Sequence, residues 1–79
     1  PNPSKDNRTV TVDMQSSSEE LVSVQIYNHV GMQVASFNKE VNPGENVFKL
    51  DVRELAAGTY FMNFESSFGV EMRKLVIIK

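Results

Sequence analysis

His29 is the one side chain in this sequence able to act as an acid or base near neutral pH without a shifted pKa. A catalytic imidazole needs a nucleophile to activate or a carboxylate to orient it. His29 instead stands in Asn28-His29-Val30-Gly31, a turn-forming run where a solvated side chain is the ordinary outcome. The serines form no Gly-x-Ser-x-Gly elbow, and Ser16-Ser17-Ser18 lies in a polar break of the kind where hydroxyls serve the backbone. Ten carboxylates, from Asp6 and Asp13 to Glu65 and Glu71, are scattered without EF-hand spacing, so no metal site is expected. A cation held by loop carboxylates from two hairpins is the one arrangement the spacing leaves open. Gly31, Gly44, Gly58 and Gly69 occur singly, whereas a phosphate cradle needs them clustered between a strand and a helix. We therefore expect a chain that is not an enzyme, with no cofactor and no small-molecule substrate.

Charge and composition narrow the partners further. Eight Lys and Arg against ten Asp and Glu give a net charge of -2, with no basic run to neutralise a string of phosphates, so nucleic acid is not expected as a partner. There is no cysteine, which removes disulfides and thiolate zinc ligands and leaves packing to hold the fold. The longest apolar run, Leu75 to Ile78, is far short of the ~20 residues of a transmembrane helix. A chain of 79 residues is one small domain, stable by about 4–12 kcal/mol at ~0.05–0.15 kcal/mol per residue.

The elements that must carry any function are strands. Val10, Val12 and Met14 alternate with Thr9, Thr11 and Asp13, and Val22, Val24 and Ile26 alternate with Ser23, Gln25 and Tyr27, the period of a half-buried strand. Asn28 and Gly31 predict a tight turn, after which Met32, Val34 and Phe37 continue a return strand. Asn42-Pro43-Gly44-Glu45 predicts a reversal into a strand over 47–52, with Phe48 and Leu50 inward. The run 51–57 is too short for a stable helix and predicts one helical or 3₁₀ turn ending at Gly58. Tyr60, Met62 and Phe64 then alternate, and Ser66-Ser67-Phe68-Gly69 turns the chain into a last strand over 70–79. That strand has a phase conflict, Met72, Val76 and Ile78 on one face against Leu75 and Ile77 on the other, which a bulge or two-sided burial would explain. The fold class expected is all-β, an immunoglobulin-like or fibronectin-like antiparallel β-sandwich of about six to seven strands.

Two local features stand out. Leu55-Ala56-Ala57-Gly58-Thr59-Tyr60 has the form of a tyrosine corner, in which the hydroxyl bonds backbone a few residues upstream. Residues 1–7, from Pro1-Asn2-Pro3 to Asn7, are polar and turn-prone and read as the end of a linker, so the sandwich occupies 8–79. The absence of an initial Met and the strand-like Val76-Ile77-Ile78-Lys79 are expected of a piece cut from a longer protein, ending where that protein ends.

Taken in order, these residues resemble one family. Pro1-Asn2-Pro3, then Val24, Ile26, Tyr27, Asn28, Gly31 and Val34, then Gly44, Asn46, Phe48, Leu50, Asp51, Leu55, Gly58 and Tyr60, and finally Gly69, Lys74, Leu75, Val76, Ile77 and Lys79 are similar to the type A C-terminal sorting domains of type IX secretion in Bacteroidetes-type bacteria. Val52-Arg53 departs from the Leu-Ser common there. The resemblance implies a C-terminal secretion signal. It implies that a covalent N-terminal cargo domain is exported to the periplasm, handed to an outer-membrane translocon and shuttle protein, and freed from the signal by a sortase. The cargo then ends on the outer membrane and cell surface or outside the cell. The signal residues it implies are Pro1, Asn2, Pro3, Gly58, Tyr60 and the run Lys74, Leu75, Val76, Ile77, Ile78 and Lys79, with Asn28, Gly31, Gly44 and Gly69 as structural turns. The alternative is a non-catalytic adhesive or carbohydrate-binding sandwich of a surface protein, for which Tyr27, Phe61 and Phe68 are the candidate aromatics.

Overall fold

The computed structural model describes residues 9–78. Six strands form in chain order: β1 (Thr9–Ser16), β2 (Glu20–Asn28), β3 (Gln33–Val41), β4 (Gly44–Asp51), β5 (Gly58–Ser66) and β6 (Gly69–Ile77). Every pairing is antiparallel. β1 and β4 make a two-stranded sheet, and the others a four-stranded sheet in the order β3-β2-β5-β6. The protein is an all-β sandwich, with no helix among the described residues.

The period-two rows build its core. Val22, Val24 and Ile26 on β2 and Tyr60, Met62 and Phe64 on β5 are buried, because these two strands are central and have neighbours on both sides. The small sheet covers them with Val12 and Leu50, while Val10, Met14 and Phe48 pack at the margin. Phe48 and Leu50 thus point inward, as their alternation predicts.

On β3 two phases compete. Ala35, Phe37 and Val41 pack inward, whereas Met32 and Val34 are exposed. A register shift marks the start of the strand: Ile26 pairs with Ala35, but Tyr27 pairs with Gln33, leaving Val34 as an extra residue. From Ala35 onward the odd-numbered residues face the core, so Val34 falls outside by alternation, and Met32 lies in the turn before the strand. The next reversal, at Asn42-Pro43-Gly44, also changes sheet, since β3 and β4 belong to different ones. Gly44 there has φ +104°, a left-handed position that costs a side chain strain. Asn46 braces the bend: its Oδ1 accepts the Asn42 N–H at 2.9 Å, and its Nδ2 donates to the carbonyls of Asn42 at 2.8 Å and Met14 at 3.4 Å.

The link from β4 to β5 is the single short turn its length predicts, although that turn spans 52–55 and does not reach Gly58. It holds a single i→i+3 turn, Leu55 N–H to the Val52 carbonyl at 3.0 Å, and no helix. Val52 and Leu55 are both buried, so the segment is fixed as a crossing between sheets. Asp51 starts the turn, its Oδ1 accepting the Arg53 N–H at 3.1 Å, and the exposed Asp51–Arg53 ion pair at 2.8 Å adds little. The Val52-Arg53 departure is accommodated in this way, Val52 inward and Arg53 folded back on Asp51.

The phase conflict of β6 is resolved by neither a bulge nor two-sided burial. Its register with β5 runs unbroken from Ser66↔Gly69 to Gly58↔Ile77. Leu75 and Ile77 enter the core, and Val70, Met72, Val76 and Ile78 are more than half exposed on the outer side. That row lies on the face of the large sheet turned away from the small one, and nothing among the described residues covers it; β6 is also an edge strand of its sheet.

Candidate functional site

Two segments that the family resemblance singles out meet in one antiparallel ladder. Gly58 lies opposite Ile77, Thr59 opposite Val76, Tyr60 opposite Leu75 and Phe61 opposite Lys74. The corner at the start of β5 and the run ending β6 therefore form one surface, with Tyr60, Leu75 and Ile77 inward and Lys74, Val76 and Ile78 outward. Pro1, Asn2, Pro3 and Lys79 lie outside the described residues.

Tyr60 anchors the corner. The residue is 7 % exposed, and its hydroxyl donates to the Ala56 carbonyl at 2.7 Å, which satisfies a polar atom that would otherwise be buried unpaired. Gly58 has φ +154°, and the position a Cβ would take is 3.9 Å from the Tyr60 ring, so the backbone conformation rather than space favours glycine there. Tyr60→Phe is expected to lower stability by about 1 kcal/mol through this one hydrogen bond. A denaturant midpoint equal to that of the unsubstituted chain would show that the bond contributes nothing.

The remaining turns have local causes. Asn28 Oδ1 accepts the N–H of Val30 at 3.1 Å and of Met32 at 2.9 Å, while Gly31, at φ +89°, donates its N–H to the Asn28 carbonyl at 2.9 Å. Gly69 closes the two-residue turn between β5 and β6, opposite Ser66. No cluster of three or more His, Cys, Asp or Glu able to hold a metal occurs among the described residues.

A family model, that of the secretion system C-terminal sorting domain, matches residues 1–79, the whole chain. The chain belongs to that family. This is the type IX family the turn and strand residues resemble, and the family implies an attached cargo and export toward the outer membrane or cell surface. Searches of curated proteins and of solved structures find no match.

Within this sorting domain, three residues matter that sequence reasoning did not single out. Arg73 points inward at the β6 edge, its guanidinium 4.8 Å from the centre of the Phe64 ring. Its Nη1 donates to the Asp13 carbonyl on β1 at 2.8 Å, and its Nε to Glu71 at 2.8 Å. It thereby ties the edge of the large sheet to the small one, across 60 positions of sequence. Asn46, quoted above only as part of a motif, braces the β3–β4 bend. Glu20 holds the β5–β6 turn from the start of β2: its carboxylate accepts the Ser67 N–H at 2.9 Å and the hydroxyls of Ser18 at 3.0 Å and Ser67 at 3.1 Å. A Glu immediately after a polar loop offered the only signal, and it does not say which distant turn the side chain reaches.

The Ser67 N–H bond, foremost, holds the Glu20 carboxyl below its ordinary pKa, aided by the Ser18 and Ser67 hydroxyls. A depressed folded pKa contributes stability that is present above the unfolded value and is lost as pH falls through the folded one. The turn at Ser67-Phe68 is therefore expected to loosen on acidification below about pH 4. Exchange of the Ser67 amide, corrected for its intrinsic pH dependence, reads this directly, and protection unchanged from pH ~6 to ~3 would contradict it.

The candidate sugar-binding aromatics divide. Tyr27 and Phe61 pair across β2 and β5 on the outer face, whereas Phe68 stands at the tip of the β5–β6 turn. Phe68 forms the rim of an open groove of about 410 Å³ bordered by Met14, Phe64 and Val70.

Proposed function

We propose that this domain is a non-catalytic signal that carries an N-terminally attached cargo through an outer-membrane translocon. A shuttle protein collects the cargo and a sortase removes the signal, while the cargo passes from the periplasm to the cell surface or medium. The whole-chain match to the sorting family carries this reading. The ladder joining Gly58–Phe61 to Lys74–Ile77 supports it, because residues far apart in the chain then present one contiguous surface to a receptor. We read the order β1-β4 and β3-β2-β5-β6, with the corner at Tyr60, as immunoglobulin-like: strands B and E facing C′, C, F and G.

The test is export of a signal-peptide-bearing reporter fused ahead of residues 1–79 in a bacterium possessing type IX machinery. The fusion is expected at the surface or in the medium, and the unfused reporter in the periplasm. Retention of the intact fusion in the periplasm would overturn the sorting role. The second reading, a carbohydrate-binding module, would then lead, on the strength of the Tyr27–Phe61 pair on the outer face.

A further inference from the structure

Building on the sorting reading, we propose that the open edge of β6 is completed by an extended strand of a partner protein, with a carboxylate opposite Lys74 between apolar side chains. β6 runs nine residues without a register shift and is paired on one side only among the described residues. Alternate residues of such an edge direct N–H and C=O away from the sheet, a template for another strand. The opposite edge, β3, is interrupted by the Val34 bulge, a feature that discourages pairing. β6 instead shows a row of Val70, Met72, Lys74 and Val76 on its exposed face, continued by Ile78 just beyond the strand. Backbone pairing supplies affinity in this mode and alternate side chains supply selectivity.

Lys74 decides the occupant. The ion pairs among the described residues are Asp51–Arg53 and Glu71–Arg73, so Lys74 has no acidic partner there. In an antiparallel ladder, directly opposed residues share a face. The face of Lys74 on β6 holds Val70, Met72 and Val76, with Ile78 just beyond, and no acid. Whatever the register, β6 of a second copy sets Lys74 against an apolar side chain or against another Lys74. Like charges directly opposed are destabilising, and a lysine on an edge is a common guard against self-pairing. The same lysine favours a foreign strand that brings Glu or Asp to that position, with Val- or Ile-like residues two positions to either side.

A blocked peptide of about nine residues, alternating Thr with Val and bearing Glu in place of the central Val, is the probe, with a Lys-centred peptide as its control. Amide shifts on titrating the 79-residue chain are expected to be confined to β6 and its β5 neighbours. The Glu peptide should bind at least about fivefold tighter than the Lys peptide, from attraction in one and repulsion in the other. Lys74→Glu should invert that order, and its unchanged thermal midpoint would show that the fold is intact. Absence of binding by both peptides, or equal binding, overturns the proposal. So does concentration-dependent dimerisation that protects the β6 amides without peptide, which gives the edge to a second copy. Reporter export by the unsubstituted chain separates the two readings: export without peptide selectivity sinks the edge proposal alone, and selectivity without export sinks the sorting role alone.

Discussion

Phe64→Ala is expected to lower the stability of this domain by about 3–5 kcal/mol, the range for a fully buried phenylalanine. Phe64 is 1 % exposed on the central strand β5, opposite Val24 of β2 and Glu71 of β6. Its ring also supports the Arg73 guanidinium, which holds the β1 edge through the Asp13 carbonyl. The substitution therefore removes apolar burial and loosens a link between the sheets. Against a total of about 4–12 kcal/mol, about a quarter or more of the stability is lost. Urea unfolding should give a much lower midpoint with little change in slope. A loss under about 1 kcal/mol would mean that the β5 row is not the centre of the core. The same variant fused to a reporter tells whether export needs a folded signal, because Phe64 presents almost nothing to a receptor.

Truncation after Arg73 is expected to unfold the domain outright. It removes Leu75 and Ile77, both buried, and leaves Gly58, Thr59, Tyr60 and Phe61 without their ladder partners. Deleting two such side chains costs about 4–10 kcal/mol on the large-to-small scale, comparable with everything that holds the chain together. Loss of amide dispersion and of a cooperative unfolding transition would be the result. A truncated chain that still unfolds cooperatively would make β6 an appendage. It follows that failed export of the truncated fusion reports a lost fold and says nothing about recognition. Lys74→Glu and Val76→Asp are the sharper probes, since both side chains are exposed and substitutions at such sites usually change stability by less than about 0.5 kcal/mol.

Much of the strand map was legible because half-burial writes itself into alternation. Val22, Val24 and Ile26 could be placed inward, and Tyr60, Met62 and Phe64 with them, from the period of two alone. Asn28-His29-Val30-Gly31 marked a turn because Gly tolerates positive φ and Asn can bond its own backbone two residues on. The Tyr60 corner was legible for a related reason: its hydroxyl reaches Ala56, four residues upstream, well within the range of a local pattern. Where two phases competed, in Met32 and Val34 against Phe37 and again in β6, the pattern could pose the conflict but not choose between its solutions. The inward row of Ala35, Phe37 and Val41 decided the first and an uncovered outer face of the large sheet the second, and both depend on what packs against the strand.

The sequence by itself thus determined the strands, the turns, an all-β class and the sorting family, whose signs are short-range residue orders. Only the tertiary structure decided that β3 and β4 part into different sheets and that β6 is an edge with an apolar outer row. It also decided that Arg73 closes onto Asp13, and that the Gly58–Tyr60 corner faces the Lys74–Ile77 run. The physical reason is one of range. Side-chain alternation and turn chemistry act between residues a few positions apart, while sheet order and register are set by which rows can bury one another.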